Sequence, residues 1–224
     1  MNKTNIIFFT IFSLCLSIIG CSEESGHSSQ KKSLVYEGSI VAIGDSLTEG
    51  LGVDEEFAYP ARLERKLMEL GYRYRVINAG ISGETSHGTL SRIKWVLKLD
   101  PDIVVLVIGA NDGFRGFKSG YIKSNITKIV QSLKENDVIV VLGGMRIVQN
   151  LGETYTTAFA KIYSEIAKIE KVILIPFFLQ GVAGEPKLNQ ADGIHPTAEG
   201  YRRIVENIYP YVVKAIKLHR AKKN

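Results

Sequence analysis

The apolar positions of this chain fall into two recurring patterns: short unbroken runs, and longer stretches with a three- to four-residue period. Val41-Ala-Ile43, Ile103 to Ile108, Val138 to Leu142 and Val172 to Ile175 are short, largely β-branched runs, and Tyr74 to Asn78 is a fifth short stretch. Runs of this length with no alternation fit strands covered on both faces. Between them, Tyr59 to Leu70 places Leu63, Leu67 and Leu70 at helical spacing, with Arg62, Glu64, Arg65 and Lys66 between. The same period predicts helices over about 86–99, 122–134 and 154–169, and a last one from about Thr197 that Pro210 interrupts. Strands alternate with helices five times and no internal repeat is present, which predicts a parallel sheet covered on both faces by right-handed crossovers.

The first twenty residues stand outside that scheme. Lys3 gives a weakly basic start, residues 6–19 are apolar, and Ile18-Ile-Gly-Cys21 follows. Such a run is short for a bilayer span and fits a signal-peptide core. Ser22 to Ser33 is polar and reads as a flexible tether. The organisation expected is therefore a leader over 1–20, a tether over 21–36 and one domain over 37–224. Cys15 falls in the leader and Cys21 at its end, so the mature domain has neither a disulfide pair nor a thiol ligand set.

The formal charge of +5 is a mild excess, much of it in Lys214 to Lys223, which reads as a solvated helix end. No basic stripe interleaved with aromatics and no nucleic-acid motif is present, so nucleic acid is not an expected partner. Asn125-Ile-Thr127 matches a glycosylation acceptor by chance.

Chemistry-bearing residues gather where the apolar runs break. The first run ends in Gly44-Asp45-Ser46, the loop after the second strand contains Gly80-Ile-Ser-Gly83, and the third ends in Gly109-Ala-Asn111-Asp112-Gly113. In open α/β sheets the carboxyl edge is where ligands bind. A further loop, Asp192-Gly-Ile-His195-Pro196, brings a carboxylate within one turn of an imidazole. Such a carboxylate orients the ring and stabilises its protonated form, leaving the other nitrogen to take a proton from a hydroxyl, for which Ser46 is best placed. Ser46, Asp192 and His195 are thus the candidate nucleophile, orienter and base of acyl transfer. Backbone amides of the Gly-rich loop and the Asn111 side chain are candidate oxyanion donors, with Gly80 and Gly83 both open. Capping and turn roles explain these residues singly. His27 and His219 have no comparable neighbourhood in sequence, and His87, at a helix start, reads as a capping or surface residue. The Gly-x-Ser-x-Gly elbow of α/β-hydrolases is absent, because Thr48 occupies its second Gly position.

Taken together, these blocks resemble the SGNH (GDSL) hydrolases, within them the bacterial thioesterase, lysophospholipase and arylesterase branch, over about 39–201. The resemblance rests on Gly44-Asp-Ser-Leu47, Gly80-Ile-Ser-Gly-Glu-Thr85, Gly109-Ala-Asn-Asp112 and Asp192-Gly-Ile-His-Pro196; Glu84 stands where the branch usually has Asp. It implies a three-layer α/β/α sandwich of flavodoxin type with a five-stranded parallel sheet. It implies Ser46 as nucleophile with its own N–H in the oxyanion hole, Gly83 and Asn111 as the other donors, and no metal or cofactor. The substrates implied are small-molecule carboxylic esters, thioesters or lysophospholipids. Residues 143–152 and 177–189 would flank the acyl group, with Phe177, Phe178, Leu179 and Val182 either an apolar wall or plain core. The Cys after the leader resembles a bacterial lipobox, which implies cleavage before Cys21, its lipidation, and tethering to a bacterial membrane facing the periplasm or cell exterior. Two alternatives stay open: a carbohydrate acetylesterase, and a non-catalytic lipid- or glycan-binding lipoprotein. Acyl-chain length and oligomeric state are not encoded in these patterns.

Overall fold

The computed structural model describes residues 35–147 and 151–223. The expected leader, Cys21 with its expected lipidation, most of the tether and His27 lie outside the described residues. Five strands, β1 (Gly38–Gly44), β2 (Tyr74–Gly80), β3 (Ile103–Val107), β4 (Ile139–Gly143) and β5 (Ile173–Ile175), form one sheet in the order β2-β1-β3-β4-β5. Every pairing is parallel. This is the flavodoxin-type arrangement of an α/β sandwich.

Burial explains the strands. Ile40 to Ile43 in β1 and all of Ile103–Val107 in β3 are inaccessible to solvent on either face. The helices are α1 (Ser46–Glu49), α2 (Tyr59–Glu69), α3 (Ser86–Leu97), α4 (Ala110–Phe114), α5 (Ser119–Glu135), α6 (Glu153–Glu170) and α7 (Ala198–Lys223). Helices α2 and α7 pack on each other in one layer, while α3, α5 and α6 form another. Each buries one stripe: in α2 Leu63 and Leu67, in α5 Ile122, Ile126, Ile129 and Leu133. Residues 35–224 form one compact unit whose continuous apolar core runs from Ile40 to Ile216, the condition for folding as an independent domain.

One expectation needs correction, and one open alternative is resolved. Helix α7 is not interrupted: it passes through Pro210, whose ring is on the exposed side, while Ile208 and Val212 stay buried around it. Packing of the buried stripe outweighs the lost backbone hydrogen bond. The Asn111-Asp112-Gly113 stretch, which also fits a tight turn, is instead the body of the one-turn helix α4.

The strand order reverses between β1 and β3, and such a switch point leaves a crevice beyond the carboxyl ends of those strands. Register places Gly44 beside both Gly80 and Val107, so the loops after β1, β2 and β3 leave the sheet together.

Candidate active site

Ser46 begins α1 directly after β1. Asp45 caps that helix, its Oδ1 accepting from the Leu47 N–H at 3.0 Å. Gly44 permits the abrupt exit, since a Cβ there would collide with the Thr48 hydroxyl and the Val107 carbonyl. The Ser46 side chain is thereby aimed across the sheet edge rather than along the strand.

The residues from 192 to 195 form a tight turn in which Asp192 Oδ1 accepts from the backbone N–H groups of Ile194 and His195, at 2.9 and 3.0 Å. Its other oxygen, Oδ2, lies 2.6 Å from His195 Nδ1. A carboxylate only accepts, so Nδ1 carries the proton and Nε2 is left as acceptor. Nε2 lies 2.8 Å from Ser46 Oγ, which donates to it. The three predicted residues thus make one unbroken relay. The His195 hydrogen bond, helped by the two backbone donors, holds the Asp192 carboxyl well below the usual carboxylate range. It therefore stays ionised and faces the imidazole as a fixed negative charge.

This turn is latched from behind by two residues that sequence reasoning missed. Asn189 Nδ2 donates to the Val182 and Glu185 carbonyls at 2.6 and 2.8 Å, and Gln190 Nε2 to those of Leu51 and Pro196 at 2.7 and 3.0 Å. The Leu51 contact ties the His195 turn directly to the segment after α1 that carries Ser46.

Of the two candidate glycines, Gly80 is taken: its N–H donates to Asn78 Oδ1 at 3.0 Å, and it packs against the Glu49 backbone. Gly83 has φ +75°, a left-handed conformation suited to glycine, and its N–H has no acceptor among the described residues. Its carbonyl accepts from Arg115 Nη2 at 3.1 Å. The Asn111 amide Nδ2 donates to Asp45 Oδ2 at 3.2 Å and to the Glu84 carbonyl at 3.1 Å, which fixes its plane between the loops after β1 and β2. Asp112 clamps the segments after β2 and β3 together: its carboxylate accepts from the N–H and hydroxyl of Ser86 at 2.8 and 2.6 Å. Glu84 is buried against Arg92 and Thr89, so the longer side chain in place of Asp serves an ion pair rather than the site. Asn125 is also buried, bonded to Ser86 Oγ, which closes that sequon to glycosylation.

Ser46, His195 and Asn111 open onto a cavity of about 140 Å³ walled by Leu47, Ala110, Phe114, Met145, Leu179 and Ile194, with Arg146 at its edge. Only part of the expected apolar wall exists. Leu179 lines the cavity; Phe178 and Val182 are core, Phe178 packing edge-on to Tyr59, and Phe177 lies under the Arg146 guanidinium at 4.8 Å. Met145 and Arg146 bear out a flanking role for the segment that starts at Gly143, while residues 148–150 lie outside the described residues.

Asp45 is a buried carboxyl beside Ser46. Burial pushes it up to about 6, against the pull of its backbone donors and His195. Among the described residues, no group of three or more His, Cys, Asp or Glu is arranged to hold a metal ion.

His87 is exposed, as expected, but His219 is not the isolated tail residue that its neighbours in sequence suggest. It is 5% exposed, with Nδ1 2.5 Å from the Tyr74 hydroxyl and Nε2 2.8 Å from Asp102 Oδ1. Its partners are far away along the chain, at the amino edge of the sheet, and local pattern carries no signal for them.

Residues 42–203 match the model of the GDSL-like lipase/acylhydrolase family. The chain is 39% identical over 173 residues to Esterase TesA of Pseudomonas aeruginosa, covering 77% of this chain and 86% of that protein. It is 36% identical over 162 residues to Thioesterase 1/protease 1/lysophospholipase L1 of Escherichia coli strain K12, covering 72% of this chain and 76% of that protein. The solved structure of the psychrotrophic esterase EstA from Pseudoalteromonas sp., inhibited by monoethylphosphonate, superposes with a TM-score of 0.77 at 30% identity, covering 81% of this chain and all of that one.

Proposed function

The chain belongs to the GDSL-like lipase/acylhydrolase family and is a carboxylic ester hydrolase; from that premise we propose that it cleaves acyl esters and thioesters through an acyl-enzyme on Ser46. The observation that carries this reading is the Asp192–His195–Ser46 relay ending at a mostly apolar cavity. Ser46 Oγ attacks the acyl carbonyl as His195 Nε2 takes its proton. The negative oxygen that forms is faced by the N–H groups of Ser46 and Gly83 and by the Asn111 amide. His195 returns the proton to the leaving alcohol or thiol, and a water molecule, activated by the same imidazole, releases the acid and restores Ser46. Asp192 keeps the ring in the tautomer both steps require.

The apolar walls from Leu179, Met145 and Phe114 support an acyl rather than a sugar group in the cavity. Fatty acyl esters, thioesters and lysophospholipids are the substrate classes we assign, in line with the names of the relatives. The leader pattern before Cys21 supports export, lipidation of Cys21 and tethering to a bacterial membrane on its periplasmic or outer side. Labelling cells with a fatty acid tests this, with the label expected on the protein and lost in Cys21→Ala; equal labelling of both overturns it.

The activity is tested with p-nitrophenyl esters from acetate to palmitate, using residues 22–224. Turnover of chains several carbons long, reduced to background in Ser46→Ala, is the expected result. Turnover of acetate alone points to the acetylesterase alternative, and wild type as inactive as Ser46→Ala on every ester overturns the proposal.

A further inference from the structure

The segment from Gly113 to Lys123, which joins α4 to α5 at the mouth of the cavity, contains Phe114, Phe117 and Tyr121 interleaved with Arg115, Lys118 and Lys123, and no acidic residue. The aromatics are not core. Phe114, Phe117 and Tyr121 are 44%, 36% and 45% exposed, and Ile194, on the opposite lip, is 45% exposed. Their exposure is built in rather than a consequence of a loose loop. The Phe117 N–H donates to the Asp112 carbonyl at 3.0 Å and its carbonyl accepts from the Tyr155 hydroxyl at 2.5 Å. Phe117 and Tyr121 meet edge to face at 6.1 Å. Of the cations, Lys123 is paired with Glu165, but Arg115, Lys118 and Arg146 have no carboxylate within 4 Å among the described residues.

Large apolar side chains held in water, rimmed by unneutralised cations, mark a contact surface. Aromatic rings favour the headgroup level of a bilayer, and cations beside them meet lipid phosphates. We propose that this rim docks on an anionic phospholipid surface and so presents acyl esters within that surface directly to Ser46. The choice of lipid rests on charge: three cations and no acid in contact with them select an anionic sheet over a neutral one. The proposal deepens the esterase reading by naming how its substrate arrives, but docking itself requires no turnover.

The test sediments residues 22–224 with vesicles of phosphatidylglycerol or of phosphatidylcholine and measures hydrolysis of soluble p-nitrophenyl butyrate in parallel. Wild type and Ser46→Ala bind the anionic vesicles equally, bind the neutral ones at least tenfold more weakly, and lose binding as salt rises. Lys118→Gln weakens partitioning about fivefold, the worth of one cation at such a surface. The triple variant Phe117→Ser, Lys118→Glu, Tyr121→Ser loses binding while its rate on the soluble ester stays within twofold of wild type. Absence of wild-type binding, or equal binding by the triple variant, overturns docking whether or not the protein is an esterase. So does a concentration-dependent dimer that the triple variant abolishes without vesicle binding, which would make a second copy the occupant.

Discussion

Two trios of a carboxylate, an imidazole and a hydroxyl stand at opposite ends of the same sheet. At the carboxyl edge are Asp192, His195 and Ser46; at the amino edge, Asp102, His219 and Tyr74. The spacings are alike, 2.6 and 2.8 Å in the first and 2.8 and 2.5 Å in the second. The wiring is reversed. Asp192 meets Nδ1 and Ser46 meets Nε2, whereas Asp102 meets Nε2 and Tyr74 meets Nδ1. The second carboxylate lies near Nε2 at an angle poor for a hydrogen bond, so that contact is chiefly electrostatic. Tyr74 and His219 are buried in direct contact with each other, and Gly38 packs so closely that a Cβ there would come within 2.6 Å of Asp102 Oδ2. The difference teaches that three groups in hydrogen-bond reach do not make a reactive site. What the carboxyl edge adds is a cavity, a primary alcohol, the Asn111 amide and the Gly83 N–H, which has no acceptor among the described residues.

The largest expected effect removes one of those additions while leaving the relay intact. Asn111→Ala keeps Asp192, His195 and Ser46 in place but deletes the proposed oxyanion donor, and kcat on a p-nitrophenyl ester should fall roughly a thousandfold, near 4 kcal/mol of transition-state stabilisation. KM should move little, because the donor acts on charge that develops only during attack. A kcat within tenfold of wild type would mean that the donors are not what separates the two trios.

His219→Ala breaks the other trio. It deletes a buried ring and leaves Tyr74 and Asp102 without their partner, which should cost about 3 kcal/mol in urea unfolding. The folded variant should keep kcat within twofold, since nothing at that edge touches the cavity. Parallel losses of stability and kcat would instead couple the two ends of the sheet.

How far each trio was legible in the sequence follows from its construction. Ser46 and His195 sit at breaks in apolar patterns, and Asp192 lies three residues from its histidine, so local spacing points to them. Asn111 and the loop from Gly80 to Gly83 stand beyond the ends of β3 and β2, the two strands that flank β1, and follow from the alternation of elements, whereas the choice of Gly83 over Gly80 came only from the family resemblance. Strand and helix positions were readable for the same reason, as β1 and β3 are unbroken apolar runs. His219 was misread because its partners are 145 and 117 positions away and meet it only through the packing of α7. Pro210 was misread as a break because helix propensity is local, whereas the stripe that carries α7 past it is tertiary. Phe178 and Leu179 are adjacent, yet one is core and one lines the cavity, a distinction that apolarity alone does not encode.

Asp45 sharpens the contrast, because its burial places at the carboxyl edge a carboxylate whose charged form is disfavoured. Its carboxyl titrates near 6 when folded, above the ordinary value of 3.8. Between those values the native state holds more protons than the unfolded chain, so stability falls as pH rises from about 4 to 6. Asp45→Asn keeps the helix cap and removes the buried charge, so it should gain about 2 kcal/mol at pH 7 and flatten that slope. The Asn111 amide loses a charged acceptor, and kcat should drop about tenfold. Unfolding midpoints across pH 4 to 8 check the first claim; an unchanged slope would remove Asp45 as its source.

The smallest effect tests whether the amino-edge trio acts alone. Arg220, one residue after His219, donates from Nη2 and Nε to Glu37 Oε2 at 2.6 and 3.0 Å, and it is 41% exposed. Solvent screens such a pair, so Glu37→Gln should cost no more than about 1 kcal/mol and leave kcat unchanged. Combined with His219→Ala, the two losses should add to within about 0.5 kcal/mol if the buried imidazole and the exposed guanidinium hold α7 independently. A larger coupling would mean that the end of α7 docks as one unit, with the surface ion pair orienting the helix turn that inserts His219 between Tyr74 and Asp102.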